Sequence, residues 1–201
     1  DRRFQEEAAS LVEGLVAPGR VVSLAQKLVQ LTMPGVPDLY QGSELWDLSL
    51  VDPDNRRPVD WAARRSLLGW LGGRSPEEIL ARMDEGAPKL WVVRRALAAR
   101  AARPAAFEGG GHESLELRGA AAEHGLAYVR GGEVAVVVPR LVVGLVRRGG
   151  WSDTRAVLPP GRWTNVLAGE RVEGTDDGVA MDTLLGRFPV ALLTREGEGE
   201  G

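Results

Sequence analysis

Apolar positions recur at helical spacing through the first half of the chain and at strand spacing through the second. Phe4, Ala8, Leu11, Val12, Leu15 and Val16 share one face, which predicts an amphipathic helix over 4–16. Pro18-Gly19 is expected to break it. Val21, Leu24, Ala25, Leu28 and Leu31 then predict a second helix over about 21–32, stopped by Pro34-Gly35. The run Val36-Pro37-Asp38-Leu39-Tyr40 reads as a short buried strand that feeds a polar loop reaching to about Asp60. Asp60 is placed to N-cap a helix carrying Trp61, Leu67, Leu68 and Leu71, which Gly72-Gly73 ends. Ser75-Pro76-Glu77-Glu78 has the form of a capping box with Pro at the first helical position, opening a short helix to about Asp84. A longer helix follows Gly86-Ala87-Pro88, with Leu90, Val93, Leu97 and Ala101 on one face, and Pro104 closes it.

After Phe107 the pattern changes. Gly109-Gly110-Gly111 marks a hinge or tight loop. Short alternating or β-branched runs follow at 115–117, 126–130, 133–139, 155–158, 163–166, 179–182 and 188–194, separated by Gly and Pro. Such regular short strands read as an antiparallel sandwich or barrel. Gly131-Gly132 suits a hairpin turn between two of them. The expected organisation is a helical segment with one strand over 1–106, an all-β segment over 107–195 and a disordered tail over 196–201. The fold class is therefore α/β plus all-β. One parallel-type strand cannot complete an α/β domain, and the chain opens Asp1-Arg2-Arg3 without Met, so further strands are expected upstream.

Composition narrows the function classes. The 201 residues are 44% hydrophobic and 26% charged, enough apolar material for a core. The 25 basic and 28 acidic residues are interspersed, giving a net charge of −3 and no basic block for nucleic acid or an anionic membrane. No cysteine is present, which excludes disulfides, thiolate catalysis and Cys-ligated metals and suits a reducing cytoplasm. No apolar run is expected to reach the ~20 residues of a membrane span.

The densest candidate chemistry lies in the loop after Tyr40. Glu44, Asp47, Asp52, Asp54, Asn55, Arg56, Arg57 and Asp60 crowd into it. A buried strand leading into a long polar loop and then a helix is how a βα barrel presents an active-site loop. Asp52-Pro53-Asp54-Asn55-Arg56 starts like a calcium loop, but Arg56 occupies the third ligand position and no Gly follows in place. His112 and His124 have no partners at metal-site spacing and read as surface histidines. No cofactor motif is found; Gly109–Gly111 lacks the Lys-Ser/Thr of a phosphate loop.

The stretch Pro34-Gly35-Val36-Pro37-Asp38-Leu39-Tyr40-Gln41-Gly42-Ser43-Glu44 resembles the last barrel strand of the α-amylase superfamily. Its continuation, residues 45–60, looks narrower and is similar to the maltooligosyltrehalose synthase family. So are Lys89-Leu90-Trp91, Arg94-Arg95-Ala96-Leu97, residues 161–169 and residues 188–193. The resemblance implies the C-terminal part of a (β/α)8 barrel, with its last strand and helices, followed by a β-sandwich. It also implies an intramolecular transglucosylation that turns the reducing-end α-1,4 link of a maltooligosaccharide into an α,α-1,1 link. Retaining glycoside chemistry uses two carboxylates ~5–5.5 Å apart. The superfamily's catalytic Asp, Glu and Asp follow earlier strands, and their motifs do not occur here. The barrel portion upstream in the same polypeptide is thus an expected partner.

Isomerisation requires the released glucose to stay bound, turn and attack before water does. Carboxylates, amides and guanidiniums take sugar hydroxyls in pairs. Tyr40, Gln41, Glu44, Asp52, Asp54, Asn55, Arg56 and Arg57 are accordingly the candidate substrate-binding residues. The charged ones equally suit a brace of salt bridges within the loop, and Glu44 suits pairing with an upstream Arg. Trp46 suits sugar stacking or packing, while Trp151 and Trp163 suit packing or carbohydrate binding. Two other readings stay open: another α-amylase-type glucan hydrolase or transferase, and a non-catalytic carbohydrate-binding module.

Overall fold

The computed structural model describes residues 1–49 and 56–197. Helix α1 runs unbroken over Arg2–Thr32, with Pro18 inside it and the Asp1 side chain accepting from the Arg3 N–H at its start. The expected break at Pro18-Gly19 does not occur. Proline's fixed φ is itself helical, so the chain can pass through Pro18 at the cost of one backbone hydrogen bond and a crowded carbonyl four residues back. The C-terminal half of α1 buries Leu24, Leu28 and Leu31. Its N-terminal half leaves Phe4, Leu11, Val12 and Leu15 exposed. One 18-residue stretch of α1 has a mean hydropathy of 1.3, so by length and composition alone the helix could cross a membrane. Glu13 and Arg20 interrupt the apolar run, so no continuous stretch marks it in the sequence.

Residues 33–49 contain no helix or strand. The strand expected at 36–40 is absent: a strand needs a ladder partner, and among the described residues none pairs with this segment. Val36 is exposed, while Leu39 packs on the main core. Helices α2 (Trp61–Trp70), α3 (Pro76–Ala81), α4 (Ala87–Ala102) and α5 (Pro104–Glu108) follow. Asp60 caps α2 by accepting from the Ala63 N–H, and Ser75 with Glu78 forms the expected reciprocal capping box on α3. Pro104 ends α4 by opening α5.

The second half is antiparallel throughout. Strands β1 (His112–Ser114), β3 (Gly125–Arg130), β4 (Val134–Pro139), β6 (Gly161–Asn165), β7 (Arg171–Gly174) and β9 (Ala191–Arg195) form a sheet of order β1-β3-β4-β9-β6-β7. A smaller sheet joins β2 (Leu117–Arg118), β5 (Arg155–Ala156) and β8 (Val179–Ala180) in the order β2-β5-β8. Gly131 and Gly132, both at positive φ, make the β3–β4 turn, and the Glu133 N–H donates to the Arg130 carbonyl. Four elements lie outside the sequence expectation: helix α5, edge strand β1, the charged edge strand β7, and helix α6 (Val142–Arg147), whose Val-Val start reads as strand. The expected strand at 179–182 ends after two residues and becomes helix α7 (Met181–Leu185).

Every residue of β4 is buried. Val134, Val136 and Val138 face a core shared with α1, α4, Phe188, Val190 and Leu192. Ala135 and Val137 face a second core with Trp163, Ala156, Val179 and Met181. Covering both faces of the strand explains why its sequence is continuously apolar rather than alternating. The helical layer and the large sheet thus share one interior.

Candidate functional site

The loop after Tyr40 begins with a tight turn. The Tyr40 carbonyl accepts from the Ser43 N–H at 3.0 Å and from the Ser43 hydroxyl at 2.7 Å. Gly42 sits at φ +88°, and a Cβ there would lie 3.0 Å from Val59 Cγ2, so the outgoing and returning arms touch at this glycine. Arg64, one turn into α2, grips this crossing. Its Nη2 donates to the Gly42 carbonyl at 2.5 Å, its Nη1 to the Asp60 carbonyl at 3.1 Å and its Nε to Glu44 Oε2 at 3.2 Å. Within this chain, Glu44 pairs with the downstream Arg64.

The next residues are pinned from α4 and the segment before it. Trp46 Nε1 donates to the Met83 carbonyl at 2.5 Å, and the Lys89 ammonium lies 5.8 Å from the Trp46 ring centre while donating to the Leu45 carbonyl at 2.7 Å. Trp46 is a packing anchor in this arrangement. Burial, then the nearby Lys27 cation, pushes the Lys89 amine down to about 8, against the pull of Asp47 and Glu44. Asp47 Oδ1 accepts from the Ser49 hydroxyl at 2.6 Å and its N–H at 2.9 Å, which holds the carboxyl below its usual range.

Between the two arms lies a polar cleft of about 310 Å³, lined by Gln41, Trp46, Asp47 and Ser49 from one side and Arg57, Pro58 and Asp60 from the other. Of the sequence candidates, it brings together Gln41 and Arg57. Tyr40, Arg56 and Glu44 are outside the lining: Tyr40 and Arg56 are exposed, and Glu44 is half-sheltered against Arg64. Asp52, Asp54 and Asn55 fall outside the described residues, as does the tail beyond Gly197. With Asp47 ionised and Asp60 occupied in capping α2, the cleft offers fixed donors and acceptors for hydroxyl groups rather than a proton donor. Among the described residues, no group of three or more His, Asp or Glu could hold a metal ion.

No family model matches the chain. It is 41% identical over 196 residues to a protein named putative maltooligosyl trehalose synthase in Mycobacterium tuberculosis, covering 98% of this chain. The solved maltooligosyltrehalose synthase of Arthrobacter ramosus superposes on 96% of the chain with a TM-score of 0.84 at 41% identity. This chain is related to the maltooligosyltrehalose synthases. The solved structure of a hypothetical maltooligosyl trehalose synthase from Sulfolobus tokodaii matches at 26% identity and a TM-score of 0.67, also over 96% of the chain. The chain spans about a quarter of each relative's length: 23% of the Mycobacterium protein, 24% of the Arthrobacter chain and 23% of the Sulfolobus one.

Relative to the synthase pattern, two residues that organise the loop had no functional reading in the sequence. Arg64 and Lys89 act on main-chain carbonyls, which no side-chain motif reports. The only available signal for Arg64 was its position one helical turn beyond the capping Asp60. Outside the loop, His124 is buried with its Nδ1 3.2 Å from the Leu141 carbonyl, contrary to the surface reading, because α6 closes over it. Trp151 and Trp163 are buried in the second core.

Proposed function

We propose that this chain is the C-terminal part of a maltooligosyltrehalose synthase and works as the acceptor side of its active site. The full polypeptide would convert the reducing-end α-1,4 link of a maltooligosaccharide to an α,α-1,1 link. The catalytic carboxylates would come from the barrel portion upstream, which would also cover the exposed N-terminal face of α1 and pair with residues 36–40 as the last barrel strand. Residues 107–195 would be its β-sandwich domain. The reaction takes place in the cytoplasm and needs no cofactor.

The observation that carries this reading is 41% identity over 98% of the chain, joined to a fold match at a TM-score of 0.84. The cleft supports it chemically: Gln41 and Arg57 present an amide and a guanidinium from opposite arms. Such groups hold a monosaccharide by pairs of hydroxyl contacts while it turns. The test uses the full-length polypeptide with maltopentaose. Loss of reducing ends with little free glucose supports the proposal. A rise in reducing ends would point to a glucan hydrolase, and no change to a binding module.

A further inference from the structure

We infer that Arg64 is a positioning residue that sets the partition between isomerisation and hydrolysis, an inference that rests on the proposed synthase reading. The argument is geometric. The cleft has two arms, with Gln41 and Asp47 on one and Arg57 on the other. The arms meet where Gly42 approaches Val59. A contact between Gly42 and an apolar side chain is non-directional and fixes neither rotation nor register. Arg64 supplies the missing direction. One planar guanidinium reaches the Gly42 carbonyl on the outgoing arm, the Asp60 carbonyl on the returning arm and the Glu44 carboxylate between them.

The side chain is suited to this role. Its base is fixed on α2, whose first turn is itself held by the Asp60 cap. Both Arg64 and Glu44 are sheltered, with 19% and 24% of their side-chain surface exposed, so water screens the pair less than an open surface bridge. Arginine presents several donors in one rigid plane, whereas lysine offers a single flexible point charge. Two main-chain carbonyls and a carboxylate are served together by one planar fork, which a single ammonium cannot match. Removing it would leave the cleft walls free to separate. A freed glucose would then be held less well, and water would capture the glycosyl intermediate more often.

The experiment compares Arg64→Ala and Arg64→Lys in the full-length enzyme with maltopentaose, reading the isomerisation-to-hydrolysis ratio, kcat and KM, thermal stability, and amide exchange of residues 41–47. Misplacement of about 1 Å in a positioned site costs on the order of 10²-fold, so we expect R64A to lower the ratio by roughly tenfold to a hundredfold. R64K should regain thermal stability yet keep the altered ratio, and exchange at Ser43 should quicken in both. If R64A does not fold, R64K decides by the same ratio. An unchanged ratio, or full rescue of it by lysine, would overturn the inference. A wild-type enzyme that forms no α,α-1,1 product would instead overturn the synthase reading and leave the exchange result to judge Arg64 as a brace.

Discussion

The Thr32 hydroxyl and the Tyr128 phenol meet at 2.6 Å in the buried seam between the end of α1 and strand β3. Thr32 also donates to the Leu28 carbonyl of its own helix at 2.6 Å, so the Tyr128 hydroxyl is donor in the cross-layer bond. The pair ties the helical layer to the sheet across the shared core. Burial pushes the Tyr128 phenol up to about 12.

Tyr128→Phe should cost about 1 kcal/mol through this bond. It should also change the alkaline limit. The folded value of Tyr128 exceeds the unfolded 10.0, so its contribution is intact below pH 10 and is lost as the pH rises to about 12. Urea denaturation at pH 9 and 11.5 checks this: the wild type should lose more stability between the two than Y128F.

Lys89 predicts the opposite slope. Its folded value, about 8, lies below the unfolded 10.5, so the cost of burying the charge is full below pH 8. Between about pH 8 and 10.5 the folded state gives up the proton first, and stability rises. Lys89→Met should remove that rise, measured by denaturant midpoints at pH 7.5 and 10. Equal slopes in the two proteins would show that the amine is hydrated.

Leu28 on α1 and Leu192 on β9 are both fully buried in the core that the helices and sheet share. Leu28→Ala and Leu192→Ala should each cost ~2–5 kcal/mol. Because the core is common, each should shift one cooperative unfolding transition. Hydrogen exchange in which the L28A variant loses protection in α1 but not in β4 would show two separately stable layers.

Gly42→Ala addresses the loop directly. A left-handed φ costs a non-glycine residue ~1–2 kcal/mol, and the new Cβ would press on Val59. We expect reduced turnover of the full-length protein together with a melting temperature lowered by a few degrees. Unchanged turnover would mean that the arm crossing does not shape the site.

Legibility in the sequence followed distance along the chain. The Asp60 cap, the Ser75–Glu78 box and the Gly131-Gly132 turn join residues a few positions apart, and each was readable. Pro18-Gly19 predicts a break from local preference alone, and α1 runs through it. The 36–40 segment reads as a strand from its apolar run and its resemblance to a barrel strand, yet a strand exists only with a neighbour to pair, and among the described residues none pairs with it. In the candidate site, the loop and its polar character were visible, including Gln41 and Arg57. What holds it was not: Arg64 reaches back 22 residues to Gly42 and Lys89 reaches back 44 to Leu45, both to carbonyls that every residue possesses.

As proposed above, this chain would complete a synthase that moves a glucosyl link without releasing it to water. The most direct measurement is the anomeric NMR spectrum of maltopentaose after incubation with the full-length polypeptide. We predict that the reducing-end anomeric signals fall while an α,α-1,1 signal grows in equal amount. Persistence of the reducing-end signals, or their increase with free glucose and no α,α-1,1 signal, would contradict it.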